Sequence, residues 1–179
     1  RTVAWSTLHA GPMSRVPAPA DPRVHKCRAP LLLGCAERKN SAVMMSYSDR
    51  LSGVVEWYRQ LLAESIGKAK DLDGNTVNIG PTPVKALGAT DQHSQVQLYR
   101  EGPFNKVFTF LKVADFGRED VKIPSAKGGG GMEYLEGKNM SFLINSELEA
   151  TRQALLDSRR PSCTIELSRV NPESVGGLL

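Results

Sequence analysis

"SAVMMSYSDRLSGVVEWYRQLLAESIGK", residues 41–68, decides the fold. Its first seven residues are a short apolar run of strand length, and Ser48-Asp49 then offer N-cap side chains to a helical segment. In that segment Leu51, Val54, Val55, Tyr58, Leu61 and Leu62 recur at spacings of three and four, and Gly67 stands where a helix C-cap belongs. A strand that runs straight into an amphipathic helix opens a βαβ unit.

The remaining chain keeps that rhythm. "DLDGNTVNIGPTP", 71–83, reads as a loop by its Asp-Gly and Gly-Pro punctuation, "VKALGAT", 84–90, as a short strand, and "QHSQVQLYREG", 92–102, as a short helix ending at Gly102-Pro103. "NKVFTFLKVA", 105–114, alternates as a strand does, and so does "SCTIELSRV", 162–170. Between them "NMSFLINSELEATRQALLDS", 139–158, predicts a long helix with Met140, Leu143, Ile144, Leu148 and Leu155 as its core stripe. Asn171 and Pro172 fit the N-cap and first position of a last helix, which leaves few residues to complete it and points to a truncated chain. The pattern predicts an α/β domain with a mainly parallel sheet flanked by helices, and ligands at the carboxyl ends of its strands.

Composition sets the boundaries. The 179 residues suit one domain. No apolar run approaches a membrane span and no secretory signal is visible, so the cytoplasm is the default expectation. The net charge of +4 is unevenly placed: residues 1–40 carry seven Lys/Arg against Asp21 and Glu37, which leaves residues 41–179 at −1. A nucleic-acid partner therefore loses its support. Residues 1–40 hold five prolines within the first 30 positions and no sustained period, so neither helix nor strand is expected there. Such a segment is either a basic tail or the product of an out-of-frame or chimeric reading. Cys27, Cys35 and Cys163 have no spacing that suggests a disulfide framework or zinc. "KGGGG", 127–131, lacks the Lys-Ser/Thr ending of a phosphate loop and reads as a flexible connection.

Two polar groups carry candidate chemistry. Gln60 and Glu64, at i and i+4, share a helix face, and Glu64 sits near the helix C-terminus, where the macrodipole should raise its pKa toward that of a useful general base. The bland reading is a surface glutamate paired with Lys68. His93, in a polar Asp-Gln-His-Ser run, is either a solvated or capping histidine or a proton-exchange group near pH 7. A Ser/His/Asp hydrolase using Ser94 or Ser46 lacks a nucleophile elbow.

The residues themselves add a resemblance. "MMSYSDRLSGVVEWYRQLLAESIGK", then "TPVKALGATDQHSQVQLYREGPFNKVFTFLKV" and "MSFLINSELEATRQALLDSRRPSCTIELSRVNPESVGGLL", resemble the second sugar-isomerase (SIS) domain of the bacterial glucose-6-phosphate isomerases, over residues 41–179 and not 1–40. The resemblance implies a three-layer SIS-type fold and interconversion of glucose 6-phosphate and fructose 6-phosphate through a cis-enediolate, without metal or organic cofactor. The family's Gln-x-x-x-Glu-Ser-x-Gly-Lys motif falls on Gln60, Glu64, Ser65, Gly67 and Lys68, which implies Glu64 as the base between C1 and C2 and Gln60 as a sugar contact. Its Gln-His pair, which assists ring opening, falls on Gln92 and His93; the commoner Gly-Thr-x-Gly-Gln-His reads here Gly88-Ala89-Thr90-Asp91-Gln92-His93. In the family the enediolate-stabilising arginine and the phosphate loop lie in the first SIS domain, and the histidine serves the neighbouring subunit. The resemblance thus implies a homodimer, and a fragment that is inactive by itself. A non-catalytic SIS module that binds sugar phosphate is the alternative, and it would need neither Glu64 nor His93.

Overall fold

The computed structural model describes residues 3–9 (backbone only), 39–117, 120–125 and 131–178. Its strands are β1 (Val3–His9), β2 (Ser41–Ser46), β3 (Lys68–Lys70), β4 (Thr76–Ile79), β5 (Thr82–Leu87), β6 (Lys106–Asp115) and β7 (Ser162–Arg169). The helices are α1 (Ser52–Ile66), α2 (Thr90–Glu101), α3 (Met140–Asp157) and α4 (Pro172–Gly176). The main sheet has the order β1-β7-β6-β2-β5; β7, β6, β2 and β5 run parallel, and β1 adds an antiparallel edge. This is the α/β, mainly parallel architecture that the alternation of strands and helices predicts.

Period-2 alternation sorts the strand side chains into two layers. Val43, Met45 and Tyr47 from β2 and its end join Phe108 and Phe110 of β6, Tyr99 of α2, and Leu148 and Leu155 of α3 in one core. Met44, Leu111, Val113, Ile165 and Leu167 face the other way, against Leu51 and Val55, with Tyr58 and Val175 packed alongside. Helices α2 and α3 thus cover one face while α1 and α4 cover the other. From β2 the chain moves outward to β5, and from β6 outward to β7, so the two central strands leave the sheet in opposite directions. Their carboxyl ends form the switch point of an open α/β sheet.

Several expectations are corrected. Ser48 and Asp49 do not cap α1 directly: Asp49–Leu51 form a 3-10 turn, Ser48 makes no side-chain cap bond, and α1 starts at Ser52. The 71–83 segment is not all loop. Its residues Thr76–Ile79 pair with β3 as an antiparallel hairpin, because Asp71 accepts from the backbone N–H groups of Asp73 and Asn75 at 3.0 and 2.9 Å and closes the turn. Val3–His9, expected to be irregular, pairs with β7; its β-branched and aromatic residues precede the first proline. Leu61 and Met140, placed in the buried stripes, are exposed, whereas Leu148 and Leu155 are core. Asn171 does cap α4, accepting from the Ser174 N–H at 2.8 Å. Cys163 is buried, while Cys27, Cys35 and most of "KGGGG" lie outside the described residues. No helix among the described residues is long and apolar enough to cross a membrane.

Candidate functional site

Helix α1 leaves the carboxyl edge of β2 and runs back along the sheet, so its last turn lies at the amino edge. There Gly67 packs on Gly80, two residues before β5, closely enough that a Cβ on Gly80 would stand 2.9 Å from the Gly67 Cα. Gln60 and Glu64 are exposed on this last part of the helix and are joined: the Gln60 Nε2 donates to Glu64 Oε1 at 3.1 Å. The Lys68 ammonium donates to the Ser65 carbonyl at 2.9 Å, while the Glu64 carboxylate accepts from Gln60. The bond steadies one carboxylate oxygen of a glutamate that is exposed as a whole. A carboxylate held this way can accept and return a proton.

Gln92 and His93 stand at the other end of the sheet, in the first turn of α2 directly after β5. Asp91 fixes that turn by accepting from the Leu87 N–H at 2.7 Å, and Ser94 donates to its other oxygen at 3.1 Å. Gln92 is half-buried, its Oε1 accepting from the Tyr47 hydroxyl at 2.6 Å. His93 is exposed. Tyr47 is completely buried at the end of β2, and its hydroxyl is pushed up to about 12, chiefly by burial; a hydrogen bond from Thr151 opposes the shift and the charge of Glu147 adds to it. The Tyr47 ring also fills the space beside Gly88, where an added Cβ would come within 2.4 Å of it. Neither serine supports the hydrolase alternative: Ser94 is tied to Asp91, and Ser46 is fully buried.

Only one of the two polar groups therefore sits where the sheet topology favours ligands. Gln60 and Glu64 do not lie at the carboxyl ends where ligands are expected, because a helix after a parallel strand carries its C-terminus back to the amino edge. The six residues of β5 that separate the two edges span about 20 Å. One chain therefore holds Glu64 and His93 at opposite edges of its sheet.

At the switch point itself a crevice of about 280 Å³ opens between Ser48, Asp49, Arg50, Gly88, Asp120 and Ser141, among others. Asp120 accepts from the Ser141 N–H at 2.9 Å, its hydroxyl at 2.6 Å and Asn139 Nδ2 at 2.8 Å. The Ser141 bonds foremost, with Asn139 adding, hold its carboxyl below the usual range. Tyr47, Asp91 and Asp120 are not singled out from sequence; an acidic residue in the first turn of α2 is a local signal for Asp91, whereas Asp120 reaches α3 from about twenty positions away. Among the described residues no group of three or more His, Cys, Asp or Glu is placed to hold a metal ion.

Comparison with known proteins gives this geometry a context. No family model matches the chain. It is 50% identical over 141 residues to the glucose-6-phosphate isomerase of Carboxydothermus hydrogenoformans, covering 79% of this chain and 30% of that protein. It is 43% identical over 149 residues to that of Rubrobacter xylanophilus, covering 83% and 32%. Among solved structures, a hypothetical protein from Thermus thermophilus superposes with a TM-score of 0.75 at 40% identity, over 84% of this chain and 35% of that one. A glucose-6-phosphate isomerase from Chlamydia trachomatis, at 19% identity and a TM-score of 0.67, shares the fold over 85% of this chain and 31% of its own. By sequence, then, the chain is similar to glucose-6-phosphate isomerases of bacteria, of whose length it spans about 30%, and it shares the fold of one of them.

Proposed function

We propose that this chain carries the proton-transfer residues of an aldose–ketose isomerase that interconverts glucose 6-phosphate and fructose 6-phosphate. The observation that carries the reading is the hydrogen-bonded, exposed Gln60–Glu64 pair, within a chain up to 50% identical to proteins named for that reaction. In this reading Glu64 removes the proton from one of the two adjacent carbons and returns it to the other, while Gln60 holds the carboxylate and touches the sugar. Isomerisation between C1 and C2 needs one base that reaches both, and an exposed carboxylate on a rigid helix meets that need. His93 exchanges a proton with the ring oxygen during opening, and Gln92 contacts the sugar beside it. The developing enediolate charge calls for a cationic or hydrogen-bonding partner, supplied by a part of the enzyme outside this chain. No metal or organic cofactor takes part.

The separation of Glu64 and His93 supports assembly of each site from two copies, with Glu64 from one and His93 from its partner. The isolated chain, about 30% of the length of such an enzyme, lacks turnover by itself. The test is a chimera in which residues 41–179 replace the matching part of the Carboxydothermus hydrogenoformans protein. Fructose 6-phosphate is incubated with it in deuterium oxide and label at C1 and C2 is followed by NMR. Glu64→Gln should lower both turnover and label incorporation by about 10²–10⁴-fold. Label entering at the unaltered rate in that variant would remove Glu64 from the mechanism.

A further inference from the structure

The hydrogen bond between Tyr47 and Gln92 joins two residues 45 positions apart and decides which end of an amide is left for a ligand. A tyrosine hydroxyl has one proton to give. Here it is given to Gln92 Oε1 at 2.6 Å. Tyr47 is fully buried, so its hydroxyl is not free to trade this partner for water. The Tyr47 ring is pinned as well: it occupies the volume that a side chain at Gly88 would need, at the turn from which α2 departs. A polar link thus runs from the end of β2 to the first turn of α2, and it ends on the amide oxygen. The group that remains on the half-buried Gln92 is Nε2, with its two N–H donors.

We propose that Tyr47 is a positioning residue that holds the Gln92 amide with its oxygen inward, so that the Gln92–His93 turn offers N–H donors and selects an oxygen acceptor, such as the ring oxygen or an oxyanion of a sugar phosphate. This deepens, and rests on, the assignment of Gln92 as a sugar contact. Without the hydroxyl the amide can turn over, and half of its orientations would present a carbonyl oxygen to the same acceptor.

The experiment uses the chain as it stands with Tyr47→Phe, which keeps the ring beside Gly88. The side-chain amide of Gln92 is assigned in a nitrogen-15 spectrum by its disappearance in Gln92→Glu. Its two signals should be resolved and slowly exchanging in the unaltered chain, and should collapse toward free-glutamine shifts in Tyr47→Phe. Thr151→Val, a change at a buried position of α3, serves as the control for a general loosening; it should leave the amide signals ordered. Fructose 6-phosphate is then titrated into the isomerase chimera, where Tyr47→Phe and Gln92→Leu should weaken binding to a similar extent, about five- to tenfold. An amide equally ordered with and without the hydroxyl overturns the proposal. An amide that loosens in Tyr47→Phe while Gln92→Leu binds as the parent does would uphold the positioning and overturn the role of Gln92 in sugar contact.

Discussion

Replacing Gly88 with alanine should be costly for a reason that lies wholly in packing. The added Cβ would stand 2.4, 2.5 and 2.6 Å from three atoms of the Tyr47 ring, which is itself fully buried between β2 and the helices. Either the ring moves or the β5–α2 turn does. Forcing a methyl group into a filled core costs about 1–3 kcal/mol. Displacing the ring also breaks the Tyr47–Gln92 hydrogen bond, about 1 kcal/mol more. Together these give about 2–4 kcal/mol, to be read as a lower urea midpoint by circular dichroism with an unchanged slope. Gly53, on the first turn of α1, has nothing within 4 Å of its ideal Cβ. Gly53→Ala should therefore be neutral or stabilising, by up to about 1 kcal/mol, through helix propensity. A Gly88→Ala variant within about 0.5 kcal/mol of the parent would refute the packing argument, since surface changes commonly fall in that range.

Other outcomes follow from the same contacts. Leu155→Ala, at a buried site of α3 against Phe108 and Tyr99, should cost about 2–5 kcal/mol in urea denaturation, with a larger loss if the cavity does not close. The carboxyls of Glu56 (beside Lys85 and Arg59), Asp71 (bonded to Asn75), Asp115 (beside Arg169) and Asp120 (bonded to Ser141) are all held below their ordinary values. A folded-state value below the unfolded one gives stability that is present above the ordinary carboxylate range, about pH 4, and is lost as pH falls through it. The thermal midpoint should accordingly drop between about pH 5 and 3, and Asp120→Asn, which keeps an acceptor but does not titrate, should show a shallower acid limb than the parent. An identical limb would mean that Asp120 contributes nothing to it. Ser94→Ala should leave any sugar-phosphate isomerisation by the chimera within about twofold of the parent, because the hydroxyl serves Asp91; a large loss would reopen the serine assignment.

Much of the fold was legible because the strongest signals are local. The apolar run at 43–47, the three-and-four spacing of α1 and the alternation in β6 and β7 each state their element without knowledge of its neighbours. The hairpin β3–β4 was hidden because its strands are short and mostly exposed, so no apolar alternation marks them. Val3–His9 was obscured by the prolines that follow it. The candidate site was legible only as residue types in motifs. Where Glu64 and His93 stand relative to each other depends on which way a helix runs past a sheet, and periodicity carries no such direction. Tyr47 could not be found at all from the chain, since its partners at Gly88 and Gln92 lie 41 and 45 positions away.

The opposed placement of Glu64 and His93 is most directly tested by mixing two inactive forms of the isomerase chimera, one Glu64→Gln and one His93→Leu, and letting their subunits exchange. A mixed dimer would join the intact Glu64 of one copy to the intact His93 of the other at one of its two sites. Statistical exchange should then restore up to about a quarter of the parent activity in fructose 6-phosphate isomerisation. Complete exchange, shown by the mass of the mixed dimers, with activity still at the level of the separate variants would contradict a site built from two copies.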